Sequence, residues 1–199
     1  MSDYSPSAQE VKVLREATAA GMMNCKRALV ETEGDHDAAV TLLRERGIAK
    51  QASRADRSTK EGVVDAYIHG GGRIGVLVEI GCETDFVANT PGFREFAHEV
   101  ALQISALPET KWVRREDVPA DLVQAEIDIF KAQAADKPEQ VQQKIAEGKL
   151  GKWYEGVVLL EQPWIRDGDK TIEQLRAELS VATGENVEIK RFARFERGA

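Results

Sequence analysis

The sequence predicts an α+β fold: a three-helix module at the N-terminus, then a three-stranded antiparallel sheet with helices on one side and a projecting helical hairpin. Three observations lead there. Helix start and stop residues recur three times before residue 50. The apolar period then changes from 3.6 to 2. Between a pair of strands and the last strand, two long segments return to a 3.6 period on either side of Pro138.

Ser7-Ala8-Gln9-Glu10 has the S-x-x-E form of a capping box, which opens a first helix. Val11, Leu14 and Thr18 follow at helical spacing, and Gly21 supplies a left-handed residue to end it. Asn24 is placed to cap a second helix carrying Ala28 and Leu29, closed by Gly34. Asp35 is placed to cap a third, with Ala38, Ala39, Leu42 and Leu43, closed by Gly47. Such a unit buries little area and is only marginally stable alone. Lys50, Arg54, Arg57 and Lys60 form a basic stretch, read as a solvated linker helix rather than an RNA site. The division expected is residues 1–53 and 54–199.

Beyond it, Val64, Ala66 and Ile68 alternate, and so do Ile74, Val76, Val78 and Ile80. His69-Gly70-Gly71-Gly72-Arg73 between them reads as a hairpin turn, because a strand and not a helix follows the glycines. Both alternating sets are assigned to the face that packs on helices. The opposite face then carries Val63, Asp65, Tyr67, Gly75, Leu77 and Glu79, joined by Phe192 from the last strand. Phe93, Phe96, Ala97, Val100, Ala101 and Ile104 follow a 3.6 period behind Pro91, which suits a first helical turn. Val123, Ile127, Phe130, Ala134, Val141 and Ile145 place a helical hairpin at 119–155. Gln162-Pro163 interrupts the next apolar run. Leu175, Leu179 and Ala182 lie on a helix that Gly184 ends, and Val187 and Ile189 open a final strand toward Phe195.

Composition narrows the function classes. With 42% hydrophobic and 31% charged residues in 199, the chain reads as an ordinary soluble globular protein. No apolar run approaches the roughly 20 residues of a membrane span, and the polar N-terminus lacks the pattern of a signal peptide. A cytoplasmic protein is expected. The net charge of −7 argues against general nucleic-acid binding. Cys25 and Cys82 form no C-x-x-C pair and read as reduced thiols.

No catalytic signature is present, so an enzyme is not expected, nor is a cofactor or a metal site. His69, Cys82 and Asp85 make a weak Cys–His candidate, and Glu83 with Asp85 a weak carboxylate pair. The informative stretch is Cys82-Glu83-Thr84-Asp85-Phe86-Val87-Ala88-Asn89, which joins a strand to a helix. Phe86 either folds back to plug that junction or projects beside Asp85 as an apolar anchor for another protein.

Leu14 to Leu29 (LREATAAGMMNCKRAL), Arg73 to Asn89 (RIGVLVEIGCETDFVAN), and the C-terminal IRDGDKTIEQLRAEL and RFARFERGA resemble the bacterial translation elongation factor Ts family, in its short form with one set of core strands. The resemblance implies a guanine-nucleotide exchange factor for elongation factor Tu, bound in its GDP-loaded and nucleotide-free states. It implies a ubiquitin-associated-like (UBA-like) module at the N-terminus. It also implies that Asp85 and Phe86, flanked by Thr84 and Val87, enter the partner's GTPase domain and disturb its Mg²⁺ site. Arg15, Met22 and Met23 match partner-contacting positions of the N-terminal module. His69 falls near a core His of the family, in a turn whose glycine count differs. The rival readings are a non-exchanging adaptor of the translation machinery and a cysteine hydrolase. Longer relatives carry two core repeats, so a homodimer is expected here, with Val63, Tyr67, Leu77 and Phe192 at its interface.

Overall fold

The computed structural model describes residues 4–198 except 19, 21, 53 and 55, and only the backbone of 47–52. Its elements are α1 (Ala8–Thr18), α2 (Met22–Glu31), α3 (His36–Ala52), β1 (Glu61–His69), β2 (Ile74–Cys82), α4 (Asp85–Ala88), α5 (Pro91–Ala106), α6 (Ala120–Ala132), α7 (Glu139–Val157), β3 (Pro163–Trp164), β4 (Asp167–Thr171), α8 (Ile172–Thr183) and β5 (Glu188–Glu196). The main sheet is antiparallel with order β1-β2-β5, and β3 and β4 form a separate antiparallel pair. The fold is α+β, as expected. Among the described residues no helix is long and apolar enough to cross a membrane.

Two compact units divide the chain. The first comprises Met1–Val63, Ile80–Phe96 and Gln174–Glu188, and the second Val64–Glu79, Ala97–Glu173 and Ile189–Ala199. In the first unit the α1 capping box forms as read: the Ser7 N–H donates to Glu10 Oε2 at 2.7 Å and the Glu10 N–H to Ser7 Oγ at 3.2 Å. Val11, Leu14, Cys25, Ala28, Leu29, Ala39 and Leu43 make the core of the three helices, with Tyr4 packed against them. Gly34 adopts φ 87° after α2, and the Asp35 carboxylate caps α3 by accepting from the Ala38 N–H at 2.9 Å.

Several local expectations differ. Gly21 lies outside the described residues. Asn24 caps nothing, because α2 already begins at Met22; its side chain instead accepts from Arg27 at 2.6 Å. Gly47 does not end α3, which continues to Ala52. Ala38 is exposed. Among the described residues past Ala52 the basic stretch is not helical: Arg54 donates to the Ser180 carbonyl at 3.0 Å and Arg57 pairs with Glu83 at 3.4 Å.

In the second unit the strand faces correct the sequence reading. Ile68 Cδ1 lies 3.3 Å from where a Cβ on Gly75 would sit, so these two share a face. Asp65 meets His98 Nδ1 of α5 at 3.3 Å, and the Tyr67 ring stands edge-on to His98 with centroids 5.5 Å apart. Val63, Asp65 and Tyr67 therefore face the helix side with the buried Val76 and Val78. Val64, Ala66 and Ile68 lie on the open side with Leu77 and Glu79, and Arg191 of β5 pairs with Glu79 there at 2.7 Å. Phe192, one residue along β5, is half-buried where Arg191 is exposed. The physical reason is the turn: its length sets how β1 meets β2, and a one-residue change in register reverses every side chain of a strand.

The α5 residues Phe93, Phe96, Ala97, Val100, Ala101 and Ile104 are all buried. The helical hairpin forms from α6 and α7. No residue of α6 is buried, and the cluster at the hairpin's base consists of Val118, Tyr154, Val157 and Val158 with Trp112, Leu122, Val123, Leu150 and Trp153 packed on it. Gln162 is not a simple break. It is fully buried, accepts from Gln103 Nε2 at 3.2 Å and donates to Thr110 Oγ1 at 2.7 Å. Gln103 in turn donates to the Pro163 carbonyl and accepts from the Ile165 N–H, so a polar pair ties α5 to the start of β3.

Candidate partner-binding site

β2 is buried through its last three residues, so the chain leaves it at Cys82 from inside the fold. Thr84 then stops extended pairing: its backbone is extended, and its hydroxyl oxygen accepts from the Val87 N–H, which caps the four-residue α4. The turn sends Ala88 inward and Asp85 and Phe86 outward. Phe86 is 82% exposed although Ala88, two residues on, is buried. Asn89 closes α4 by donating through both its backbone N–H and its side chain to the Asp85 carbonyl. Thr90 then accepts from the Phe93 N–H at 3.3 Å and opens α5. Phe86 is thus no plug. It projects from a short, capped helical turn between two buried elements.

Glu83, Thr84 and the segment after α8 hold that turn from behind. Glu185 Oε2 accepts from the Glu83 and Thr84 N–H groups, both at 3.0 Å, and Glu185 Oε1 accepts from the Thr84 hydroxyl at 2.6 Å. The Glu83 carboxylate accepts from the Asn186 N–H at 2.7 Å and pairs with Arg57. Glu83 is therefore committed to protein partners and forms no free carboxylate pair with the exposed Asp85. The Cys82 thiol donates to the Thr84 carbonyl at 3.1 Å.

On the three-helix module, Arg15 lies in the last turn of α1 and is exposed. Met22 and Met23 begin α2 and are 59% and 65% exposed, so neither is spent on the core. Of the residues expected at a dimer interface, Leu77 is exposed, whereas Val63, Tyr67 and Phe192 are half-buried.

Residues 9–199 match the family described as Elongation factor TS. Among curated relatives, the Elongation factor Ts of Caldanaerobacter subterraneus subsp. tengcongensis is 54% identical over 194 residues, which is 96% of this chain and 96% of that one. That of a Thermoanaerobacter species is 53% identical over 96% of this chain and 95% of its own. That of Desulforamulus reducens is 52% identical over 96% and 89%. The chain belongs to the elongation factor Ts family.

It is accordingly a factor of translation elongation. The cysteine-hydrolase reading is unsupported by the chemistry at Cys82. Burial and then the nearby Glu185 charge push its thiol pKa up, away from the thiolate a nucleophile needs. His69 is engaged with the Tyr67 hydroxyl at 3.1 Å. Glu185 and Asn186 escaped the sequence reading. The signal available was small: two polar residues directly after Gly184, where a helix end demands a turn and a strand follows.

Proposed function

We propose that the chain is a guanine-nucleotide exchange factor that promotes GDP release from elongation factor Tu by inserting Asp85 and Phe86 into its GTPase domain. Family membership supports the exchange role in general. The observation that carries the finer reading is Phe86, an aromatic held out in water on a turn whose backbone is capped and clamped. An exposed phenyl ring gains nothing where it stands. It gains by burial in a pocket on another protein, beside a partner polar group for Asp85.

An exchange factor makes and breaks no covalent bond. It binds the nucleotide-free partner more tightly than the loaded one, and linkage then weakens nucleotide by the same factor. A rigid apolar wedge supplies that difference when its pocket exists only after the partner's helices shift. Much of a GTPase's hold on GDP runs through Mg²⁺ and the phosphate loop, so movement there is an efficient lever. Thr84 and Val87 fix the wedge. Arg15, Met22 and Met23 form a second contact on the same partner, residues 1–53 acting as a UBA-like docking module and 54–199 as the core. The open sheet face, with Val64, Ile68, Leu77 and Phe195 exposed, supports pairing with a second copy.

The deciding experiment adds the chain to elongation factor Tu loaded with fluorescent GDP in the presence of excess unlabelled GDP. The release rate should rise with factor concentration. Tight binding without acceleration would instead indicate a non-exchanging adaptor.

A further inference from the structure

Glu185 lies outside the residues that would meet the partner, yet its carboxylate is the hub of the tip. We infer that Glu185 is a positioning residue for Phe86, an inference that rests on the exchange reading above. Its own backbone is held first. Gly184, at φ 77°, donates to the Ser180 carbonyl at 3.0 Å. The fully buried Ser180 hydroxyl donates to the Glu185 carbonyl at 2.5 Å, and the Glu185 N–H reaches Thr183 Oγ1 at 3.4 Å. A side chain launched from so fixed a point has a fixed destination.

That destination is the backbone immediately before α4. The carboxylate accepts from the two consecutive N–H groups of Glu83 and Thr84 and from the Thr84 hydroxyl. The hydroxyl proton is thereby committed to Glu185, which leaves the Thr84 oxygen lone pairs to accept from the Val87 N–H at 3.4 Å. A continuous chain of hydrogen bonds runs from Glu185 through Thr84 to Val87, the residue after Phe86. Glu83 returns the contact by accepting from the Asn186 N–H, so the pairs 83–84 and 185–186 close a ring.

The tip needs such a clamp. A helix of four residues has no stability of its own, and Phe86 is too exposed for packing to orient it. Bonds to an ionised acceptor are the stronger kind. An anchor already held in its bound geometry loses less freedom on binding. Glu185 thus acts on the partner without touching it.

The test is a double-mutant cycle on fluorescent GDP release from elongation factor Tu, with amide hydrogen exchange and melting temperature measured on each free variant. Glu185→Ala should slow stimulated release roughly ten-fold, the scale of losing bonds to a charged acceptor. Glu185→Gln keeps an acceptor oxygen and an amide facing Thr84, and should restore most of the rate. In a Phe86→Ala background, Glu185→Ala should change the rate by less than about two-fold, because the residue acts through the ring. The free Glu185→Ala protein should exchange the Glu83 and Thr84 amides faster. An equal loss with and without Phe86, or undisturbed amides at 83 and 84, overturns the inference and leaves the exchange reading intact. A Phe86→Ala protein as active as the parent overturns both. If Glu185→Ala fails to fold, the same cycle run with Glu185→Asp, whose shorter side chain draws the carboxylate back from the Glu83 and Thr84 N–H groups, decides through its coupling to Phe86.

Discussion

At the scale of single residues, the site is an imbalance between what a side chain is and where it stands. Phe86 is apolar and 82% exposed, while the polar Thr84 behind it is hydrogen-bonded through hydroxyl and backbone. Phe86→Ala should leave the melting temperature nearly unchanged, because no packing is lost. It should lower GDP-release activity roughly 30-fold to 1,000-fold, from the ~2–4 kcal/mol that a central anchor typically contributes to an interface. A variant that melts several degrees lower and retains full activity would contradict this. Asp85→Ala should cost less, as rim charges act mainly on encounter. A different single residue governs the sheet. Gly62 adopts φ 147°, and a Cβ there would run into the Ile80 carbonyl oxygen and lie 2.8 Å from Gly81 Cα. Gly62→Ala should destabilise the fold by at least ~1–3 kcal/mol, the scale of a residue held in a disfavoured backbone region, with denaturant unfolding as the measurement.

At the scale of elements, the three-helix module is closed around its own core, with Tyr4 the side chain from ahead of α1 that packs on it. Deleting residues 1–53 should therefore leave the sheet signal in circular dichroism and weaken binding to elongation factor Tu. An insoluble or disordered remainder would make the module part of the main core. Its capping box also sets a pH response. The Ser7 hydroxyl, then Tyr4 and the Ser7 N–H, lower the Glu10 pKa from 4.5 to about 2. A depressed carboxylate stabilises above its unfolded value and loses that contribution as pH falls from 4.5 toward 2. An NMR titration of the Glu10 carboxyl should place its midpoint near 2, and Ser7→Ala should move it up toward 4.5. Such elements were legible because their signals are local. Ser7 with Glu10, Gly34 with Asp35, and the buried stripe from Phe93 to Ile104 each act within a few residues. The facing of Val63 and Val64 depends on how β1 meets β2 across the turn, and the Gln103–Gln162 pair joins residues 59 apart in the chain. Neither leaves a periodic trace. The same holds at the site: Phe86 could be singled out from its neighbours, whereas Glu185 acts on it through Thr84, which lies 101 residues from Glu185 in the chain.

At the scale of the whole molecule, the proposed self-pairing rests on the open face of the sheet. Val64, Ile68, Leu77 and Phe195 stand on it at 68%, 66%, 48% and 69% exposure, interrupted by the Glu79–Arg191 pair. These four side chains are exposed, so the hairpin of α6 and α7 does not bury them. One-sided antiparallel sheets normally present polar residues to water, and a group of exposed apolar side chains of this kind marks a partner surface. In the proposed pairing a second copy occupies this face, with Leu77 meeting its own counterpart across a two-fold axis. Sedimentation equilibrium at micromolar concentration should then give twice the 22.0 kDa chain mass. Leu77→Lys should return the monomer, since an unpaired ammonium at the centre of the contact loses its hydration and gains no partner. Its helical and sheet signals should persist, because Leu77 is half-exposed and lies outside the buried core. Tyr67→Lys is the contrasting variant. Tyr67 lies on the covered face against His98, so that change should lower the melting temperature and leave self-association of the folded fraction intact. A 22.0 kDa parent at these concentrations, or a Leu77→Lys protein that stays paired, would remove this face as the interface.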